Sequence, residues 1–293
     1  MQNADIGSEE GVRRLADIIT ESDAVLVGAA SGMSAAAGYT FYYEHDSMFE
    51  DNFHEFEDKY GYTSGFDGFY YNYRTDAERW AFISKMICLI LDEGASQPYL
   101  DIKKVLNGKE YHILTTNQDQ QFNRVFPEEN ISAIQGDWGY IQCSRPCHDG
   151  LYPSGEIAHM LRDSIDKDLR VPEDMIPRCP RCGATMEPWV RSRIFLEGSR
   201  YREEYRKLNN FIMSHKDERI LFLEIGVGRM TPMFIQEPFW NLTYNLTNSR
   251  YVTINPNHAI VPDLLSSRGF AIRDDVAKVL RKLVRLGGDE IDG

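Results

Sequence analysis

The sequence has no apolar run long enough for a signal-peptide core with its cleavage site, or for a membrane span of ~20 residues. Its longest early apolar stretch is residues 24–30, and residues 1–11 are polar and acidic. These absences argue for a cytoplasmic protein with no membrane partner. A long Lys/Arg tract is also missing, and the net charge is −13. Nonspecific nucleic-acid affinity comes from neutralising phosphates, so no nucleic-acid partner is expected and any anionic ligand must be held locally. Cysteine is scarce, with five residues in a chain lacking secretory features. An odd count in that setting argues against a disulfide framework. Internal repeats and low-complexity segments are absent too. What remains, 42% hydrophobic and 26% charged residues over 293 positions, suits one large globular core with an insert.

Val12, Leu15, Ile18 and Ile19 fall on one helical face behind a potential cap at Ser8, and Asp23 ends that helix before the buried-strand run 24–27. Further helices are expected over 80–91, 99–106 (closed by Gly108), about 200–215, 262–267 and 275–286. Strands are expected over 111–114, 131–134, 220–225, 251–254 and 270–272. This alternation implies an α/β, Rossmann-like parallel sheet with helices on both faces, which binds ligands at the carboxyl ends of its strands. Two stretches interrupt it. Residues 39–80 hold 15 aromatics among Gly, Asp and Asn, and read as a helical satellite core packed on the sheet or as a lid over a cofactor. Residues 143–198 hold four of the cysteines and six prolines, and read as a loop-rich module. The expected organisation is a Rossmann core over 1–38, 80–140 and 200–293, an aromatic-rich small lobe or lid over 39–79, and a zinc-binding module over 141–199.

Polar and glycine residues follow the strands. The small side chains of residues 28–38 let a backbone approach a pyrophosphate, although the G-x-G-x-x-G spacing and a P-loop Lys are missing and a plain helix–strand packing turn fits equally. Thr115-Thr116-Asn117-Gln118-Asp119 and Gln135-Gly136-Asp137 end two strands and would share one crevice, though Asn and Asp also serve turns for local reasons. Residues 226–232 and Ile254-Asn255-Pro256-Asn257 end two more. Cys143-x3-Cys147 and Cys179-Pro180-Arg181-Cys182, the latter followed by Gly183, have zinc-knuckle spacing. A structural zinc on four thiolates is expected, with His148 a less favoured ligand and free thiols or a redox pair as alternatives. Cys88, in an apolar helix, reads as a small core residue.

In order, these segments resemble the sirtuin family: a Gly-Ala-x loop, T-x-N-x-D, a segment ending in Gly, a four-cysteine module, a G-x-G loop and an Ile-Asn pair. The resemblance spans 24–283. It is narrower to the class M, macrodomain-linked sirtuins, through Ser31-Gly32-Met33-Ser34-Ala35-Ala36-Ala37-Gly38, T-T-N-x-D, Q-G-D-W-G, and G-V-G-x-x-T-P followed by Pro238-Phe239-Trp240. It implies NAD as cosubstrate. Gly28, Ala29, Ala30, Ser34 and Gly38 would border the pyrophosphate and nicotinamide pocket, Asn117 the nicotinamide ribose, and Asp119 the carboxamide. Gly226, Val227 and Thr231 would line the phosphate and adenosine side, and Asn255 the adenosine ribose. Gln135 stands where deacylase sirtuins carry histidine, and Arg191 resembles an arginine placed near the class M site. The chain departs from the pattern at Ala30, where Gly is usual, at Gln120, where His is common, and at Arg193, where an acid is common.

Glutamine cannot take the proton that the deacylase histidine takes, but its amide can orient a ribose or an acceptor. The resemblance therefore implies transfer of ADP-ribose to a protein side chain, with Asp137 orienting or deprotonating the acceptor. Class M enzymes modify lipoyl-carrier proteins of the glycine-cleavage H type and work with a macrodomain hydrolase, which names the implied partners. Deacylation by another base, NAD hydrolysis and NAD sensing remain as alternatives. The basic run at 191–207 reads either as a docking face for an acidic carrier or as a helix laced with its own ion pairs.

Overall fold

The computed structural model describes residues 8–229 and 231–288; the Ser8 side chain, expected as a cap, and Met230 lie outside the described residues. The chain opens with α1 (Ser8–Glu21), β1 (Ala24–Ala29) and α2 (Ser31–Ala36). Val12, Leu15 and Ile19 of α1 are buried, as their helical spacing requires, and every residue of β1 is buried, as a strand covered on both faces must be. The aromatic insert follows as α3 (Ser47–Tyr60) and α4 (Gly65–Tyr70), then α5 (Asp76–Asp92), α6 (Gln97–Val105), β2 (Glu110–Thr115), α7 (Gln121–Val125) and β3 (Ile131–Ala133). The cysteine module supplies β4 (Gly136–Cys143), β5 (Leu151–Pro153), α8 (Gly155–Asp163) and β6 (Met186–Val190). The chain then returns to the core through α9 (Ser199–His215), β7 (Ile220–Ile225), α10 (Gln236–Asn245), β8 (Arg250–Ile254), β9 (Gly269–Ile272) and α11 (Val276–Gly288).

Six strands form one parallel sheet in the order β3-β2-β1-β7-β8-β9. Their ends are level: Ala29 pairs with Thr115 and Ile225, Thr115 with Ala133, and Ile254 with Ile225 and Ile272. Every connecting loop after a strand therefore leaves from the same edge. The chain winds one way from β1 through β3 and the other way from β7 through β9, so the crevice lies between β1 and β7, where ligands bind in open α/β sheets. A separate antiparallel sheet, β5-β4-β6, carries Cys143 at the end of β4, and Cys147, Cys179 and Cys182 lie in the loops that flank it.

The insert is helical. Asp46 caps α3 by accepting from the Phe49 amide at 2.8 Å, Gly61 ends it at φ 78°, and Phe49, Phe53 and Phe56 are fully buried at helical spacing. Phe53 and Phe56 pack on Phe82 of α5, and Phe69 meets Trp138 of β4 edge-on at 5.4 Å. Its core is continuous with α5, α8 and the small sheet instead of the main sheet. The bidentate Arg79–Glu187 pair, with bonds of 2.6 to 3.2 Å, fastens α5 to β6. One expected helix is corrected: over 262–267 only a single 3-10 turn forms, Asp263–Leu265, because the segment buries Leu265 alone and has no apolar face to hold a longer helix. The strand expected over 131–134 ends one residue earlier, at Ala133.

Candidate active site

The loops after β1 and β7 touch through backbone. The Gly32 amide donates to the Gly226 carbonyl at 2.9 Å, and a Cβ on Gly32 would lie 2.6 Å from Gly226 Cα, so neither position admits a side chain. Gly226 also has φ 65°, in the left-handed region that favours glycine. Asn255 ties the β8 end to this floor: its amide donates to Val227 O at 2.9 Å, and its Oδ1 accepts from the Asn257 and His258 amides, both at 2.9 Å.

Across the crevice, Asn117 donates to Ala30 O at 3.0 Å, joining the ends of β2 and β1. Asp119 is buried and accepts three bonds: from Ser34 at 2.5 Å, from the Tyr99 hydroxyl at 2.9 Å, and from the Gln121 amide at 3.0 Å. Burial pushes the Asp119 carboxyl above the usual carboxylate range, and these donors work against that push. Asp119→Ala strands a buried phenol, a hydroxyl and an amide. It is expected to lower stability by about 1–3 kcal/mol for each donor left unpaired. An unchanged urea midpoint would contradict that.

Gln135 lies in the turn between β3 and β4, immediately before Gly136. Its carbonyl accepts from the Arg191 amide at 3.0 Å and the Gln118 side chain at 3.3 Å, while its own side chain makes no hydrogen bond among the described residues. Arg191 brackets this segment. Its guanidinium donates to Ile134 O at 3.2 Å, pairs with Glu197 at 2.7 Å and lies 4.1 Å from the Phe195 ring centre. The Tyr70 hydroxyl, from the aromatic insert, donates to Arg191 O at 3.3 Å, so the insert borders the site. Asp137 is buried. Its Oδ1 accepts from Gln120 Nε2 at 2.7 Å and the Gly139 amide at 2.8 Å, and burial pushes its carboxyl up to about 6 against those bonds.

These bonds join Ala30, Ser34, Asn117, Asp119, Gln135, Asp137, Arg191, Gly226, Val227 and Asn255 to the rim of one crevice. Gly28 and Ala29 lie in β1 beneath them, and a Cβ on Gly28 would lie 2.4 Å from Ile235, so Gly28 admits the approach of α10. Gly38, at φ 93°, turns the chain out of α2, and Thr231 precedes a 3-10 turn with no side-chain hydrogen bond among the described residues. Tyr99, which the sequence reading did not single out, and Gln120, noted there only as a departure from the class M pattern, join this network through Asp119 and Asp137. Tyr99 looks like one more apolar position of α6, and only the packing of α6 on the sheet brings its hydroxyl to Asp119.

The four cysteines meet at the far end of the small sheet, with all Sγ atoms within 4.8 Å of one another. The Cys143–Cys182 and Cys147–Cys179 separations are 3.5 and 3.6 Å, close to the ~3.8 Å edge of a tetrahedron with Zn–S bonds of ~2.3 Å. Gly183, at φ 72°, lets the Cys179 amide reach Ala184 O at 2.7 Å and closes the knuckle. The cluster is a zinc-binding site of structural type. His148 Nδ1 stands 3.2 Å from Cys147 Sγ, and its Nε2 is 2.9 Å from the Tyr152 hydroxyl. The basic run at 191–207 is mostly spent internally: Arg200 pairs with Glu128 and Glu204, Arg202 with Asp149, Arg206 with Glu203, and Lys207 with Glu204.

A parallel sheet with this switch point and a four-cysteine module on its own small sheet define a sirtuin fold. A solved Sir2 homologue in complex with NAD shares it at a TM-score of 0.58 and 14% identity, over 95% of this chain and 94% of that one. A Staphylococcus aureus protein named protein ADP-ribosyltransferase is 33% identical over 271 residues, covering 91% of this chain and 85% of its own length. The chain belongs to the ADP-ribosyltransferases of the sirtuin family. A Fusarium oxysporum f. sp. cubense protein named probable bifunctional ADP-ribose hydrolase/ADP-ribosyltransferase is 29% identical over 230 residues, 75% of this chain and 38% of that protein. No protein-family model matches the chain.

Proposed function

We propose that the chain transfers ADP-ribose from NAD to a protein side chain and releases nicotinamide. The observation that carries this is Gln135: a side chain that takes no proton near neutral pH stands on the crevice rim immediately before β4. None of the seven histidine side chains hydrogen-bonds to Asn117, Asp119, Gln135, Asp137 or Arg191 among the described residues. A reaction that needs a histidine base at this point is not supported; one that needs orientation is.

The residues fit a dinucleotide. The floor built by Gly32 and Gly226, flanked by Gly28, Ala29, Ala30 and Gly38 on one side and Val227, Thr231 and Asn255 on the other, offers backbone groups to a pyrophosphate. Ser34, Asn117 and Asp119 serve the nicotinamide end. Bound NAD supplies a glycosidic bond already weakened by its cationic ring. The acceptor atom bonds to the anomeric carbon as that bond breaks, nicotinamide leaves with the electron pair, and the acceptor proton passes to Asp137. A carboxyl raised to about 6 is a serviceable base near neutral pH. Gln135 holds the ribose or acceptor in line, and Arg191 holds Gln135 by its backbone.

The acceptor proposed is a lipoyl carrier of the glycine-cleavage H type, and the functional partner a macrodomain hydrolase. The order of the class M motifs supports both, and the paired hydrolase and transferase in the Fusarium relative's name supports the second. The ion pairs that residues 191–207 make with carboxylates of this chain, Glu128 and Asp149 among them, disfavour that run as the carrier's docking face.

Gln135→Ala is expected to cut transfer at least tenfold while leaving NAD affinity within about twofold, since orientation is lost and the cofactor's other contacts remain. Gln135→His is expected to remain a poor deacylase, because Trp138 and the aromatic insert pack beside this segment. Transfer kinetics with labelled NAD, together with calorimetric titration of NAD, read both. An Ala variant that transfers at the wild-type rate would remove Gln135 from the mechanism.

A further inference from the structure

Gln120 is placed by an unusual backbone. It is one of two non-glycine residues with positive φ among the described residues, at φ 55°, ψ 10°. It occupies the N-cap of α7 yet gives no side-chain bond to that helix. Its amide instead crosses to the next strand-end segment and donates to Asp137 Oδ1 at 2.7 Å. The opposite wall is cut to match: a Cβ at Gly139 would lie 2.0 Å from Gln120 Nε2 and 2.9 Å from Asp137 Oδ1. The Gly139 amide then completes the hold on the same oxygen at 2.8 Å, whereas Oδ2 makes no hydrogen bond among the described residues. A left-handed residue in a crevice, a side chain committed away from its own helix and a facing glycine with no room for a methyl group all serve one contact.

We propose that Gln120 is the positioning residue for the Asp137 carboxylate, fixing Oδ1 and leaving Oδ2 for the acceptor's proton. The second half rests on the reading of Asp137 as the base of the transfer.

The chemistry suits an amide. A hydrogen bond to the ionised carboxylate favours that form, while burial in the site disfavours it. The other charged or titratable groups acting on Asp137 are Arg200, which favours ionisation, Glu204, which opposes it, and Tyr140 on the same strand. Arg200 and Glu204 are paired to each other at 2.8 Å and act on Asp137 in opposite directions. After burial, the uncharged donor at position 120 is the strongest influence on the Asp137 carboxyl. Because an amide does not titrate, the hold on Asp137 stays constant across the pH range in which the carboxylate changes charge.

The test follows the Asp137 carboxyl signal by carbon-13 NMR against pH in the full-length protein, assigned by its disappearance in Asp137→Asn. Gln120→Leu removes the donor and keeps the backbone strain. Gln120→Gly removes the donor and relaxes the strain, which covers the case in which the leucine variant folds poorly. Both are expected to move the titration upward by about one pH unit, equivalent to a tenfold change in the ionisation constant. The acid limb of transfer to a lipoylated carrier protein from biotin-labelled NAD should move by the same amount, with KM for NAD within about twofold. Gln120→Asn, whose side chain tolerates the left-handed backbone but falls short of Asp137, should behave as Gln120→Gly does. An Asp137 titration that stays put in both the Leu and Gly variants overturns the proposal. A shifted titration with an Asp137→Asn enzyme that still transfers at the wild-type rate supports the hold by Gln120 and removes the base role from Asp137.

Discussion

Cys179→Ser is expected to strip the protein of zinc and to abolish its cooperative thermal transition. Structural thiolate zinc contributes about 10–16 kcal/mol of apparent binding free energy in small metal-dependent folds. That is as large as the whole stability of an ordinary domain, about 5–15 kcal/mol. Cys179 is 2% exposed, and its amide and carbonyl close the turn that presents Cys182. The consequence reaches the site, because β4 runs from Gly136, beside Gln135, to Cys143. Metal analysis and a melting curve on the same preparation read both effects. A variant that keeps one zinc per chain, or a wild-type protein purified without chelator that holds none, contradicts the assignment.

Gly136→Ala is expected to be the most damaging substitution of a single methyl group near the site. The backbone there has φ 73°, which costs an alanine about 1–2 kcal/mol. The larger penalty is steric: the new Cβ would lie 1.9 Å from Trp189 O and 2.9 Å from Trp189 C, both backbone atoms of the facing strand. The start of the β4–β6 ladder must open, displacing Gln135 and Asp137 on either side. A total loss of about 3 kcal/mol or more is expected, with transfer lost in parallel. Gly183→Ala is the matched control, with φ 72° and nothing within 4 Å of the new methyl. It should show the backbone cost alone. Equal urea-denaturation losses for the two variants would contradict the packing argument.

The parts of the molecule that could be read from sequence are those whose signal is local. Residues 24–27, 111–114 and 220–225 are apolar but for His112 and Glu224 because strands covered on both faces must be largely so, and the level strand ends then place Asn117, Gln135 and Gly226 on one edge. The zinc knuckle was legible because Cys179, Cys182 and Gly183 form the site's geometry within five residues. The small sheet was not: Gly136-Asp137-Trp138-Gly139-Tyr140 does not alternate in polarity, and β6 contains Pro188. Helix α3 carried its cap at Asp46, its stop at Gly61 and its buried face at Phe49, Phe53 and Phe56, but neighbouring aromatics outside the helix obscured that period. Tyr99 and Gln120 depend on contacts made 20 and 17 residues away, at Asp119 and Asp137, and no local pattern encodes them. The basic run at 191–207 shows the opposite hazard: its charge is conspicuous in sequence, and in the fold its partners are Glu128, Asp149, Glu197, Glu203 and Glu204.

The central claim is that the crevice passes ADP-ribose to a protein. The measurement that meets it directly is one incubation of the wild-type chain with adenosine-labelled NAD, a lipoylated carrier protein and an acyl-lysine peptide, with products resolved by mass spectrometry. The account predicts label on the carrier, nicotinamide released in equal amount, and an acyl peptide left intact. Acyl-ADP-ribose together with deacylated peptide and no label on any protein would contradict it.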